Sequence, residues 1–308
     1  VKRGAVAQPT MPYFAAANVA LYRGDAEQML LELGDSSVDC VVTSPPYYGQ
    51  RDYGVQGQIG LEADPQTYLS RLIQVFRQVK RVLKPSGSLW VNIGDTYWSG
   101  KGQPHGEDAK QKNRRFPRPQ DKRGSKPLCV PKQLLLIPHR LAIAMQDDGW
   151  IVRNDNVWMK PLAMPDRAVD RCAQVHEYVF HFVKGRKYYF NADAVAVPAK
   201  NTKGTKAPSS VWSVPPSREK KQHIATFPEA LISIPVSATC PPQGVLLDPF
   251  CGSGTALIAA LKLNLPSRVI GIDISPHALD EAKQLITQAS DENRPSQSVP
   301  STKLKKLS

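Results

Sequence analysis

The sequence predicts an α/β fold, a doubly wound and mostly parallel sheet with helices on both faces. Three observations predict it. Segments of strand and helix periodicity alternate along most of the 308 residues. Val38-Asp39-Cys40-Val41-Val42 is almost wholly apolar and rich in Val, as a parallel strand covered on both faces must be. Three short motifs also stand where strands end, the place where such sheets bind ligands.

The elements follow in order. Residues 19–22 read as a short strand ending at Gly24-Asp25, and a helix follows over roughly 25–33. The 38–42 strand runs into Thr43-Ser44-Pro45-Pro46-Tyr47, where two prolines end strand pairing. From 65 to 83, Tyr68, Leu69, Leu72, Ile73, Phe76, Val79 and Leu83 recur at helical spacing, and Lys84-Pro85-Ser86-Gly87 stops that helix. Residues 89–93 form a strand closed by Gly94-Asp95. After an aperiodic stretch, a helix is expected from 131 to 148 and strands over 150–158, 177–183 and 188–190. A helix over 228–236, a strand over 245–247, a helix over 255–263, a strand over 268–272 and a helix over 276–289 complete the pattern. Residues 1–17 read as an N-terminal extension, 18–290 as the domain, and 291–308 as a polar flexible tail or linker. The chain begins at Val1, so a fragment or a processed form is expected, with room for a further domain beyond Ser308.

Composition narrows the function. Hydrophobic residues make up 41%, enough for a substantial core, and no run of about 18 apolar residues predicts a membrane span. The five cysteines form no C-x-x-C pair, and His105, His139, His176, His181 and His223 have no ligand spacing, so no metal is expected. The net charge of +13 lies in two stretches. Residues 99–127 hold nine Lys/Arg against Glu107, Asp108 and Asp121, and 184–222 hold nine against Asp193 and Glu219. Such stretches are either solvated loops or a surface facing a polyanion. Trp212, set between valines in the second stretch, reads as a packing anchor.

The first chemical motif is Asp248-Pro249-Phe250-Cys251-Gly252-Ser253-Gly254-Thr255, small residues at a strand-to-helix turn that let backbone approach a ligand. Leu257 stands where a dinucleotide fingerprint needs its third glycine, and no Gly-Lys-Ser/Thr follows. The second is Asp273, an acid ending a buried strand 19 residues after Gly254. A carboxylate there suits a ribose diol, or alternatively caps the helix that begins near Pro276. The third is Ser44-Pro45-Pro46-Tyr47. An exocyclic amino nitrogen is a poor nucleophile because its lone pair is delocalised into the ring. Acceptors at Ser44 and the Pro45 carbonyl would hold its hydrogens and turn the lone pair toward a methyl donor, stiff prolines would fix the geometry, and Tyr47 offers a stacking face.

At these residues the chain resembles the amino-methylating DNA methyltransferases, in the β group whose catalytic S/D/N-P-P-Y motif precedes the cofactor motif. The resemblance covers most of 18–290 and implies a seven-stranded class I methyltransferase fold in circularly permuted motif order. It implies S-adenosylmethionine as cofactor and direct transfer to a flipped base in duplex DNA. Ser44, Pro45, Pro46 and Tyr47 match the catalytic motif, and Ser in first place is associated with cytosine N4, Asp or Asn with adenine N6. Asp25, at the end of Tyr22-Arg23-Gly24-Asp25, looks like the acidic turn near the cofactor adenine. Phe227, in 223–229, looks like the segment beside its methionine end. Thr43, Asp248, Pro249, Phe250, Gly252, Gly254, Thr255 and Asp273 complete the implied cofactor set. The basic stretches lie where such enzymes carry recognition inserts. Arg114, Arg115, Arg118, Arg123, Lys200, Lys203 and Lys206 are therefore implied DNA contacts. Arg51, in Arg51-Asp52-Tyr53-Gly54 after the catalytic motif, joins them from a loop over the base. A bacterial or phage restriction-modification setting in the cytoplasm is implied (nuclear for a eukaryotic source), with oligomers allowed. The competing functions are adenine-N6 methylation on the same fold, RNA or protein methylation, and an inactive nucleic-acid-binding module.

Overall fold

The computed structural model describes residues 11–99, 118–121, 128–163, 168–199, 203–216 and 227–292. At its centre lies β3 (Val38–Thr43), buried along its whole length. It pairs in parallel with β4 (Leu83–Ile93) on one side and β10 (Val245–Asp248) on the other. Beyond β10 come β11 (Arg268–Asp273) and β2 (Val19–Arg23), both parallel, with β1 (Phe14–Ala16) antiparallel at that edge. Beyond β4 come β6 (His176–Val183), antiparallel to both its neighbours, and β5 (Ile151–Met159). Then β9 (Val211–Ser213) pairs in parallel with β5 at the other edge. The order β1-β2-β11-β10-β3-β4-β6-β5-β9 extends the expected seven strands by one at each edge.

Helices cover both faces. On one side, α1 (Ala26–Leu31), α2 (Pro65–Val82) and α3 (Ile137–Asp147) contribute Leu30, Leu72, Phe76 and Leu141 to one core layer. On the other, α4 (Glu229–Thr239), α5 (Thr255–Leu263) and α6 (Pro276–Glu292) contribute Ile232, Leu257 and Ile286 to a second. Both layers consist of apolar side chains withdrawn from water, which drives the sheet to be sandwiched. Four cysteines are buried, Cys172 is exposed, and all five are free thiols. Among the described residues no helix is long and apolar enough to cross a membrane.

Four expectations are corrected. Residues 84–87 do not form a loop after α2: the chain passes straight into β4, and these residues bulge opposite Asp39, so Pro85 removes no ladder bond. The bulge is held by Lys84, which pairs with the buried Asp39 carboxylate at 2.8 Å. The helix expected from 131 starts instead at Ile137. Residues 132–135 bond the backbone of 96–98, and Leu136 is left-handed at φ 55°. No strand forms over 188–190. Tyr188 instead lies under the Arg153 guanidinium and edge-on to His181. Finally, the second basic stretch is not wholly irregular, since it holds the hairpin β7 (Val197–Pro198) and β8 (Thr205–Lys206) as well as β9. Trp212 of β9 is 7% exposed and packs on Trp90, as an anchor should. Arg114, Arg115, Arg123 and Lys200 lie outside the described residues, as do 1–10 and 293–308.

Candidate active site

The carboxyl ends of β2, β11, β10, β3 and β4 open onto one cleft of about 680 Å³. The glycine turn after β10 forms one wall. Gly252 and Gly254 both have positive φ, at 50° and 82°. A Cβ on Gly254 would sit 3.2 Å from Ala282 Cβ, so α5 and α6 approach closely only with glycine there. Asp273, at the end of β11, accepts the Gly252 N–H on one carboxylate oxygen and the Ser275 N–H on the other, each at 2.8 Å. Its backbone carbonyl takes the Gly24 N–H at 3.0 Å, joining the turn that carries Asp25. Helix capping falls to others: Ser275 Oγ accepts from Ala278 N, and Asp25 accepts from Gln28 N at the start of α1. Asp273 therefore organises three strand ends and lines the cleft. Behind the turn, Ser253 Oγ and Thr255 Oγ1 are buried with no hydrogen-bond partner among the described residues. Buried hydroxyls at a helix start, beside the cleft they line, are placed to receive a ligand's polar group.

The catalytic motif is tied to this wall from below. Thr43 donates to Asp248 Oδ1 at 2.6 Å, and the same oxygen accepts the Phe250 N–H at 3.0 Å. Burial pushes the Asp248 carboxyl up to about 7, against the smaller lowering effect of these bonds. A carboxyl whose folded value exceeds its unfolded value of 3.8 holds its proton more tightly when folded. Its contribution to stability is thus greatest below that unfolded value and is lost as pH rises toward 7. Asp248→Asn keeps an acceptor oxygen and removes this titration. The variant is expected to gain stability relative to the parent between pH 4 and 7, by at most about 1.4 kcal/mol per pH unit. Denaturant melts of the two proteins across that range check this, and a constant difference would contradict it.

Above that tie, Ser44, Pro45, Pro46 and Tyr47 line the cleft. Tyr68 of α2 donates to the Pro46 carbonyl at 2.8 Å, and Gln120 reaches the Tyr48 and Gly49 carbonyls. The second bond carries the short described part of the first basic stretch to the catalytic loop. Tyr47 OH donates to Glu177 Oε2 at 2.6 Å, and Ser44 Oγ lies 3.5 Å from Tyr47 OH. Asn92, from the end of β4, donates to the same Glu177 oxygen at 3.1 Å. Lys160, just after β5, pairs with the other Glu177 oxygen and lies 4.4 Å over the Trp158 ring.

Most of the residues named from sequence meet here. Asp25, Arg51, Phe227, Pro249, Phe250, Gly252, Thr255 and Asp273 line the cleft with the four motif residues. Thr43 and Asp248, each 1% exposed, lie behind the wall and brace it, and Gly254 sits at the α5–α6 contact. Arg118 is half-buried and Lys203 and Lys206 are exposed, none of them on the cleft. The sequence reading missed Asn92, Trp158, Lys160 and Glu177. Asn92 left a signal, since it precedes the Gly94-Asp95 that closes a strand. Glu177 and Lys160 left none, because only the antiparallel register of β6 brings them to the motif.

A sheet with this strand order, an amino-type S-P-P-Y at one strand end and a glycine turn with a distal acid at its neighbours define a class. It is that of S-adenosylmethionine-dependent DNA methyltransferases acting on amino groups, in permuted order. The model of one family, described as DNA methylase of the N6/N4 methyltransferases, matches residues 38–284. Type II methyltransferase M.XycI of Xanthomonas campestris pv. cyanopsidis is 44% identical over 257 residues, 83% of each chain. Type II methyltransferase M.Cfr9I of Citrobacter freundii is 42% identical over 263 residues, 85% of each. Among solved structures, PvuII DNA methyltransferase (cytosine-N4-specific) superposes with a TM-score of 0.67 at 20% identity, over 92% of this chain and 94% of that one. This chain belongs to the N6/N4 DNA methylase family.

Proposed function

We propose that the protein transfers the methyl group of S-adenosylmethionine to the exocyclic N4 amino group of cytosine in duplex DNA, with the base flipped into the cleft. The observation that carries this reading is the placement of Ser44 and Tyr47 in one cleft with the Asp273-held glycine turn. The residues present fit the cofactor. Asp273 would take the ribose hydroxyls, Asp25 and Phe250 would hold the adenosine, and Phe227 would hold the methionine end. The orphaned Ser253 and Thr255 hydroxyls at the start of α5 take the carboxylate. When bound, the cofactor supplies an electrophilic sulfonium methyl.

The chain's own residues do the rest. Tyr47 stacks on the flipped base, and Ser44 Oγ and the Pro45 carbonyl accept its two amino hydrogens. That geometry turns the nitrogen lone pair toward the methyl. A neutral serine in first place supports cytosine over adenine, whose relatives carry Asp or Asn. Arg51 on the cleft, the half-buried Arg118 and the exposed Lys203 and Lys206 supply phosphate contacts. With methyl-labelled cofactor and mixed-sequence duplex DNA, label is expected on DNA. Ser44→Ala is expected to slow labelling at least about tenfold with cofactor binding unchanged, the effect of one lost hydrogen bond in the transition state. A Ser44→Ala variant as fast as the parent would remove Ser44 from the amino group.

A further inference from the structure

The hydrogen-bond directions around Tyr47 point one way. Ser44 Oγ donates toward Tyr47 OH across 3.5 Å, and Tyr47 OH donates to Glu177 Oε2 across 2.6 Å, with Asn92 Oδ1 a second, longer acceptor at 3.3 Å. Methylating an amino nitrogen leaves it with one proton too many, and Ser44 alone is a poor resting place for it. We propose that Glu177, outside the catalytic motif, is the terminal acceptor of that proton, reached through Ser44 and Tyr47. The proposal rests on the amino-methylation reading above.

The step balances. The nitrogen lone pair forms the N–C bond, the C–S bond breaks, and its electron pair stays on sulfur. The displaced proton passes from nitrogen to Ser44 Oγ while the Ser44 proton moves to Tyr47 and the Tyr47 proton to Glu177, which ends as a carboxylic acid. Removing the proton as the bond forms avoids a cation that has lost its delocalisation into the ring. The 3.5 Å link is one that closes when a substrate fills the site. Burial, reinforced by the neighbouring Glu177 carboxylate, pushes the Tyr47 phenol far up, so Tyr47 passes the proton on without resting as a phenolate. Glu177 suits the role by position. Its side chain is 15% exposed, enough to return a proton to water in the cleft. The groups around it are Lys160 from the end of β5, Asn92 and Asp95 from the end of β4, and His176 beside it.

Two variants cut the chain at different links. Glu177→Gln keeps an acceptor for Tyr47 but cannot take the proton, and Tyr47→Phe keeps the ring and the Lys160–Glu177 pair. Single-turnover methylation of mixed-sequence duplex DNA would be measured from pH 6 to 9, with enzyme in excess. Melting curves and cofactor binding would confirm that both variants are folded. The parent rate is expected to be nearly flat with pH. Both variants are expected to fall at least about tenfold in rate, with the enzyme concentration for half-maximal rate unchanged. The Glu177→Gln rate should then climb with pH as hydroxide replaces the missing acceptor. A Glu177→Gln protein within about threefold of the parent and equally flat with pH would overturn the relay and leave the methylation reading standing. So would a Tyr47→Phe protein at the parent rate. A parent that labels no DNA would overturn both.

Discussion

Replacing Asp273 by alanine is expected to weaken S-adenosylmethionine binding about a hundredfold or more. The carboxylate has two tasks in this structure. It holds the Gly252 and Ser275 N–H groups at 2.8 Å, which sets the glycine turn, and it faces the cleft where the ribose lies in the proposed complex. Hydrogen bonds to a charged acceptor contribute about 1.5–3 kcal/mol each, so losing two to the ribose reaches a hundredfold before the turn relaxes. Asp273→Asn is expected to fall between, since it keeps one acceptor and sets an NH2 against the second backbone donor. Titration calorimetry with the cofactor alone checks both without need of the DNA sequence. Unchanged affinity in Asp273→Ala would remove the acid from the cofactor site.

Gly94→Ala is expected to slow methyl transfer about a hundredfold while leaving cofactor affinity intact. Gly94 lies just past β4, where an added Cβ would stand 2.9 Å from Tyr47 Cε2 and 3.3 Å from Glu177 Cδ. Both neighbours are fixed, Tyr47 by Glu177 and Glu177 by Lys160 and Asn92, so the strain falls on the ring proposed to stack the base. Misplacing a positioning group by about 1 Å can cost on the order of a hundredfold in rate. The cofactor wall stands on β10 and β11 and does not touch Gly94. Single-turnover rates and calorimetry on the same preparation separate the two effects. Equal losses in rate and in cofactor affinity would show that the strain spreads beyond Tyr47.

The elements and residues legible in the sequence share a physical reason. A strand buried on both faces must be largely apolar, so β3, β10 and β11 announced themselves, and their ends located the cleft. Helix α5 runs from Thr255 to Leu263 as expected, and Gly254 and Asn264, both left-handed, bracket it. Local signals failed where long-range contacts decided. Residues 132–135 bond the strand-like backbone of 96–98 instead of extending α3. The 84–87 bulge answers to Asp39, over forty residues away, and the aromatic run at 188–190 packs on side chains instead of joining the sheet. The same limit applies within the site. Ser44, Tyr47 and Asp273 form contiguous motifs with a recognisable chemistry. Glu177 reaches Tyr47 only through the reversed strand β6, opposite Trp158 in the β5 register, which no spacing along the chain encodes.

This cleft is proposed to methylate the N4 amino group of cytosine in DNA. The most direct test is to label mixed-sequence duplex DNA from methyl-labelled S-adenosylmethionine, digest it to nucleosides, and identify the labelled base by mass spectrometry. The expected result is N4-methylcytosine alone. Label in N6-methyladenine would contradict the role assigned to Ser44 in choosing the base, and DNA without label, from a protein that binds the cofactor, would contradict the claim altogether.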